Sequence, residues 1–124
     1  MEIDGSYRKL LGKSGFLALK QGMHKEAGII FDALALTAPD NPAPILGQAM
    51  VQMNMRRYAE AVSTIENNAL AKDKNNLMSQ AYLGLALFLN EQTDRAKAVL
   101  NEVTAQKEDP AAQQLAKALL AEMK

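Results

Sequence analysis

The side chains able to do chemistry in this chain are few and scattered. His24 is the single histidine, flanked by Met23, Lys25 and Glu26. One imidazole supplies one ligand or one base, and neither a metal site nor a proton relay is built from one group. It reads as a solvent-exposed residue of a turn. Gly12, Lys13, Ser14 and Gly15 offer the residue types of a phosphate loop. They lack the G-x-x-x-x-G-K-[ST] spacing and a preceding strand, so helix packing explains the glycines better. Glu60, Glu66 and Glu102 fall on the polar faces of predicted helices, with no converging pair that would raise a carboxyl pKa. Arg56-Arg57 and Lys72-Asp73-Lys74 read first as solvated turns and second as rim contacts. No catalytic residue, metal or cofactor is predicted, and the chain is read as a non-enzyme.

The elements that position these residues follow from composition and periodicity. The chain has 124 residues, one domain by length, and 48% of them are apolar, too many for a disordered segment. Ala, Leu and Met carry that content, and they are strong helix formers. Fourteen basic and fourteen acidic residues cancel. That removes the long-range attraction most nucleic-acid binders and anionic membrane surfaces rely on. Cysteine is absent, which excludes a disulfide framework and a thiolate site. The opening MEIDGSYRKLLGKSGF is not read as a signal peptide, and no apolar run is long enough to span a bilayer. A cytoplasmic protein without membrane or nucleic-acid partners is expected.

Three segments align: GFLALKQGMHKEAGIIF, AMVQMNMRRYAEAVSTI and GLALFLNEQTDRAKAVL. The small residues Gly15, Ala49 and Gly84 are spaced by 34 and then 35 positions; so are Ala27, Ala61 and Ala96, and Phe31, Ile65 and Leu100. Each unit reads as two antiparallel helices. Ala27, Ile30, Phe31, Leu34 and Ala96, Val99, Leu100, Val103 share the spacing i, i+3, i+4, i+7 of one helical face. The middle unit offers a thinner stripe of Ala61, Ile65 and Ala69, with Val62 beside it. Turns are predicted at 22–24, 55–57 and 91–93. Gly15 is expected to face Ala27, and Gly84 to face Ala96, so that the helix axes approach to about 8–10 Å. Repeats are placed at about 8–41, 42–76 and 77–110. Asp109-Pro110 starts a capping helix over 111–124, with Leu115, Leu119 and Met123 on one face. Met1 to about Gly5 is expected to be loose.

A helix–turn–helix unit of 34 residues, with small residues at the crossing and Pro39 closing the first unit, resembles the tetratricopeptide repeat. The resemblance spans about residues 8–110. Asp73 and Glu108 stand where Pro39 does, and Leu11, Ile45 and Gln80 stand where the family has an early aromatic. It implies an all-α, right-handed superhelix of about three hairpins plus the capping helix. The stretch LALKQGMHKEAGIIFDALALTAPDNPAPILGQAMVQMNMRRYAEAV is also similar to the small cytoplasmic chaperones of bacterial type III secretion. Phe31 to Ala49 carries that resemblance, running F-x-A-L-x-x-x-x-P into L-G-x-A. It implies a chaperone holding either the needle subunit's C-terminal helix or a translocator.

In stacked hairpins the first helix of each unit lines the concave face. Repeat register places Phe16 and Leu19, then Leu46, Met50 and Met53, then Ala81, Leu85, Phe88 and Leu89 on one stripe, separate from Leu83 and Leu87. Such a groove suits the apolar face of an amphipathic helix, and methionine re-packs around varied shapes. Three readings of the stripe stay open: a groove for a protein partner, completion of the core, or the interface of a homodimer. The function read first is a non-enzymatic secretion chaperone that masks an amphipathic segment of a needle or translocator subunit. The alternatives are a general tetratricopeptide adaptor and a structural homo-oligomer, and a co-chaperone would be a further protein partner.

Overall fold

The computed structural model describes residues 5–123, and among these the regular structure is entirely helical. Helix α1 (Gly5–Lys20) pairs with α2 (His24–Thr37). Helix α3 (Ala43–Asn54) pairs with α4 (Tyr58–Thr64), which runs on through a π-helical turn (Ile65–Ala69) into α5 (Leu70–Lys72). Helix α6 (Leu77–Leu89) pairs with α7 (Thr93–Thr104), and α8 (Pro110–Glu122) packs on both α6 and α7. Residues 1–4, most of the stretch expected to be loose, lie outside the described residues, as does Lys124; Gly5 begins α1. His24 opens α2 and is half-buried, not exposed in the turn as expected.

The three hairpin turns share one backbone device. Gly22, Arg56 and Glu91 adopt φ of 77°, 62° and 64°, repeating the 34- and 35-residue spacing. The amide that follows each donates back across the turn: Met23 N to Ala18 O, Arg57 N to Gln52 O and Gln92 N to Leu87 O, all 2.8 Å. The left-handed residue's own amide donates to Leu19 O, Met53 O and Phe88 O, each 3.0 Å. This pair of bonds is the Schellman termination, which satisfies the last carbonyls of a helix. Glycine adopts the conformation freely at position 22, whereas Arg56 and Glu91 carry a Cβ into it at a cost of about 1 kcal/mol or more. Two helix starts, those of α8 and α6, are capped from side chains. Asp109 Oδ1 accepts from Ala112 N (3.1 Å), with Pro110 in the first turn. Asn76 Oδ1 accepts from Ser79 N and Ser79 Oγ, both 2.8 Å, which satisfies the hydroxyl of fully buried Ser79.

The core comes in two parts. The smaller gathers Ala18, Leu19, Ala27, Phe31 and Leu34 of α1 and α2. The larger runs from α3 to α8 through Ile45, Ile65, Leu87, Leu100 and Val103 to Ala116 and Met123, and Met50 packs against both. The expected facing of Gly15 with Ala27 and of Gly84 with Ala96 is corrected by one helical turn. A Cβ on Gly15 would lie 2.8 Å from Phe31 Cζ and 3.2 Å from Ile30, and one on Gly84 would run into Leu100. A helical side chain leans toward its own N-terminus, so the large residue four positions on covers the level of the alanine. Gly47 of α3, which the repeat comparison leaves unmarked, is as tightly occupied: its missing Cβ leaves the space taken by the Phe31 ring. Phe31 therefore sits between two glycines, one on the preceding helix and one on the following.

The π-helical turn explains the unequal repeat lengths. Buried Phe31 and Leu34 in α2 are three residues apart, as are Leu100 and Val103 in α7, but Ile65 and Ala69 are four apart and both fully buried. A π-helical turn accommodates one residue more than the α-helix does. The extra residue of the 35-residue interval thus lies between Ile65 and Ala69. There Asn67 and Asn68 project into solvent, while Glu66 pairs with Arg95 of α7 at 2.5 Å.

Candidate functional site: a cleft on the first helices of the hairpins

The first helices of the hairpins lie side by side, α3 packing against α1 on one flank and α6 on the other. Where α3 meets α6, a cleft of about 320 Å³ opens. It is lined by Met50, Met53 and Asn54 of α3, Arg56 of the turn, Tyr58 at the start of α4, and Leu85 and Leu89 of α6. Four of these seven are among the residues picked out from repeat register, and they come together because both helices repeat the same i, i+3/i+4 face.

The other predicted residues are placed differently. Leu46 and Ala81 are buried in the larger core and Leu19 in the smaller one. Phe88 is half-buried against the larger core and outside the cleft's lining. Phe16 is exposed, its ring standing edge-on to Phe31 with centroids 4.9 Å apart at 64°. Met53 is 5% exposed and forms the floor of the cleft, whereas Met50, Leu85 and Leu89 are half-buried walls. Sequence register did not pick out Arg56 and Tyr58, because they follow the helix; the left-handed turn at Arg56 brings them to the cleft's edge.

Chemically the cleft is an apolar trough with a polar rim. Among the described residues, Arg56 is the one charged residue in its lining, and Asn54 Nδ2 donates to the Met50 carbonyl at 2.8 Å. No nucleophile among the described residues stands beside a base there. Among the described residues, no group of three or more His, Asp or Glu side chains is placed to hold a metal. Burial pushes the pKa of the Tyr82 phenol on α6 above the ordinary tyrosine value, which keeps it neutral. A larger opening of about 670 Å³, at the foot of α6 and α7, is edged by Asn75, Gln80, Glu102, Gln106 and Glu108, with Leu77 its one large apolar residue. Its lining does not suit an apolar helix face. Among the described residues no helix is long and apolar enough to cross a membrane.

Comparison with known proteins follows the same lines. The family model described as bacterial type III secretion protein (HrpB1_HrpK) matches residues 9–124. No curated protein matches the chain. Among solved structures, the type III secretion translocator chaperone SycD of Yersinia enterocolitica is similar in fold, with a TM-score of 0.75 at 18% identity, over 96% of this chain and 92% of that one. The first tetratricopeptide domain of human RPAP3 superposes with a TM-score of 0.71 at 22% identity, over 94% of both chains. The first such domain of Spaghetti (RPAP3), bound to the HSP90 peptide SRMEEVD, gives 0.69 at 21%, over 97% and 98%. The all-α tetratricopeptide architecture expected from the repeats is the one observed.

Proposed function

The chain belongs to the bacterial type III secretion family HrpB1_HrpK, and from that premise we propose that it is a non-enzymatic chaperone that holds an amphipathic helix of a secreted needle or translocator subunit in the cleft between α3 and α6. The observation that carries this reading is the half-buried Met50, Leu85 and Leu89 around the Met53 floor. These side chains still have apolar surface to lose to a partner, and two of the four are methionines able to re-pack around it. Similarity in fold to a translocator chaperone and to a repeat domain carrying a peptide supports a protein ligand. A self-assembling subunit with an exposed apolar face is aggregation-prone, and covering that face before export keeps it monomeric. Such a role is exercised in the cytoplasm.

The experiment is co-purification with co-expressed needle and translocator subunits of a type III secretion system, using Met50→Glu and Leu85→Glu. A carboxylate placed in the trough is expected to weaken capture by about tenfold or more, because it must be desolvated without a partner. Circular dichroism checks that helicity is kept. Undiminished capture by a folded variant sinks the assignment of the cleft, and recovery of the protein from the periplasm would sink a role before export.

A further inference from the structure

The outer face of α1 is separate from the cleft and lies at the amino end of the stack. Leu10 and Leu17 are 59% and 54% exposed, an unusual state for two leucines on one helix face. Seven residues apart, they stand two turns apart on one stripe, about 10 Å along the axis. The repeat register shows what this stripe does elsewhere. The positions equivalent to Leu10 are Pro44 and Ser79, both buried; those equivalent to Leu17 are Val51, half-buried, and Ala86, buried. In the second and third hairpins that face is therefore covered, and those helices pack against the first helix of the preceding unit. In the first hairpin it faces solvent.

The same face is not a plain unfinished seam. Lys13 stands where the later units have Gly47 and Tyr82, one buried and one half-buried. Lys13 and Lys20 are both exposed, seven residues apart, and about 60° around the helix from Leu10 and Leu17. An apolar stripe thus runs beside a cationic one. We infer that this face of α1 docks an amphipathic helix whose apolar stripe is flanked by acidic residues.

Charge selects that occupant over a second copy of the chain. This face carries Lys13 and Lys20 and helix α1 has no acidic residue in its sequence, so pairing two α1 faces would set like charges along one another. Head-to-tail stacking fits no better: the far end is closed by α8, whose exposed positions include Gln114, Lys117 and Glu122. A glutamate-flanked helix meets both stripes, gaining apolar burial from Leu10 and Leu17 and screened ion pairs with Lys13 and Lys20.

The test uses the full chain and two labelled synthetic helical peptides, read by fluorescence anisotropy. One carries a leucine stripe flanked by glutamates; its twin has lysine at every glutamate. The glutamate peptide is expected to bind about tenfold tighter than its twin, and less so as salt rises. Leu10→Ser with Leu17→Ser is expected to lose about tenfold in affinity, while Lys13→Glu with Lys20→Glu reverses the preference between peptides. Leu85→Glu, which disables the cleft, leaves this binding unchanged, so the two surfaces fail or succeed separately. Equal binding of the twins overturns the inference, as does full binding by the serine variant. So does light scattering that shows a dimer dissociated by the serine pair, which would make the occupant a second copy.

Discussion

The two ends of this helical stack solve the same problem differently. At the carboxyl end, α8 lays Ala112, Ala116 and Met123 against α6 and α7, and the large apolar residues of α6 and α7 are buried or half-buried. At the amino end, α1 and α2 bury a small cluster around Phe31 and leave Leu10, Phe16, Leu17, Ile29 and Leu36 substantially exposed. A repeat stack must end somewhere, and an end is soluble only if its last face is polar or covered. Helix α8 is such a cover, and α1 is not. The difference teaches that exposed apolar surface here is localised by position in the stack and does not follow from a generally apolar surface.

Core truncations at the two ends make the first contrast. Leu100→Ala and Phe31→Ala each remove a side chain that is at most 1% exposed, and losses of about 2–5 kcal/mol are expected in chemical denaturation. The two should differ in character. Leu100→Ala lowers the stability of the whole fold. Phe31→Ala releases α1 and α2 locally, seen as fast amide exchange confined to that hairpin. Uniform exchange across all helices in the Phe31 variant would show that the two core parts melt as one.

Next come the glycines. Alanine at Gly47 or Gly84 gains about 1 kcal/mol of helix propensity but forces its Cβ against Phe31 or Leu100. A net loss of about 1–3 kcal/mol is expected from overpacking, measured by urea midpoint. Smaller still, Leu36→Ser at an 85% exposed position should move stability by no more than about 0.5 kcal/mol while improving solubility. A large loss there would mean that the amino-terminal apolar surface is structural. Arg56→Gly and Glu91→Gly relieve a left-handed Cβ and should each stabilise by about 0.5–1 kcal/mol.

A last, slight effect is pH-dependent. Burial raises the Tyr82 pKa, so the folded state favours the neutral phenol; that stability is full below the ordinary tyrosine value and is lost as pH rises through the raised one. Tyr82→Phe should flatten the alkaline limb of a stability–pH curve.

Much of this was legible in the residues. Ala27, Ala61 and Ala96 are all fully buried, and their spacing fixed the hairpins because a small residue at a helix crossing has few substitutes. Less was legible where backbone geometry overrides residue type. Arg56 and Glu91 carry no signal for a left-handed turn that glycine announces at position 22. The pairing of glycine with Phe31 and Leu100 depends on the lean of side chains along the helix, which spacing alone does not convey. For the candidate site, register brought Met50, Met53, Leu85 and Leu89 to one cleft but could not separate Leu19, Leu46 and Ala81, which the core takes up. In an apolar first helix, core and groove faces are adjacent and chemically alike.

The π-helical turn at Ile65–Ala69 has a consequence for how such chains tolerate changes of length. The added residue is taken up in the hydrogen-bond pattern of one helix, with Ile65 and Ala69 both kept inward and the surplus turned to solvent at Asn67 and Asn68. The downstream hairpin then keeps its phase, because Ala96 and Leu100 stay in step with Ala61 and Ile65. Removing either asparagine should restore an ordinary α-helix and an even period. A length polymorphism at this point would be silent to the core and visible only on the surface.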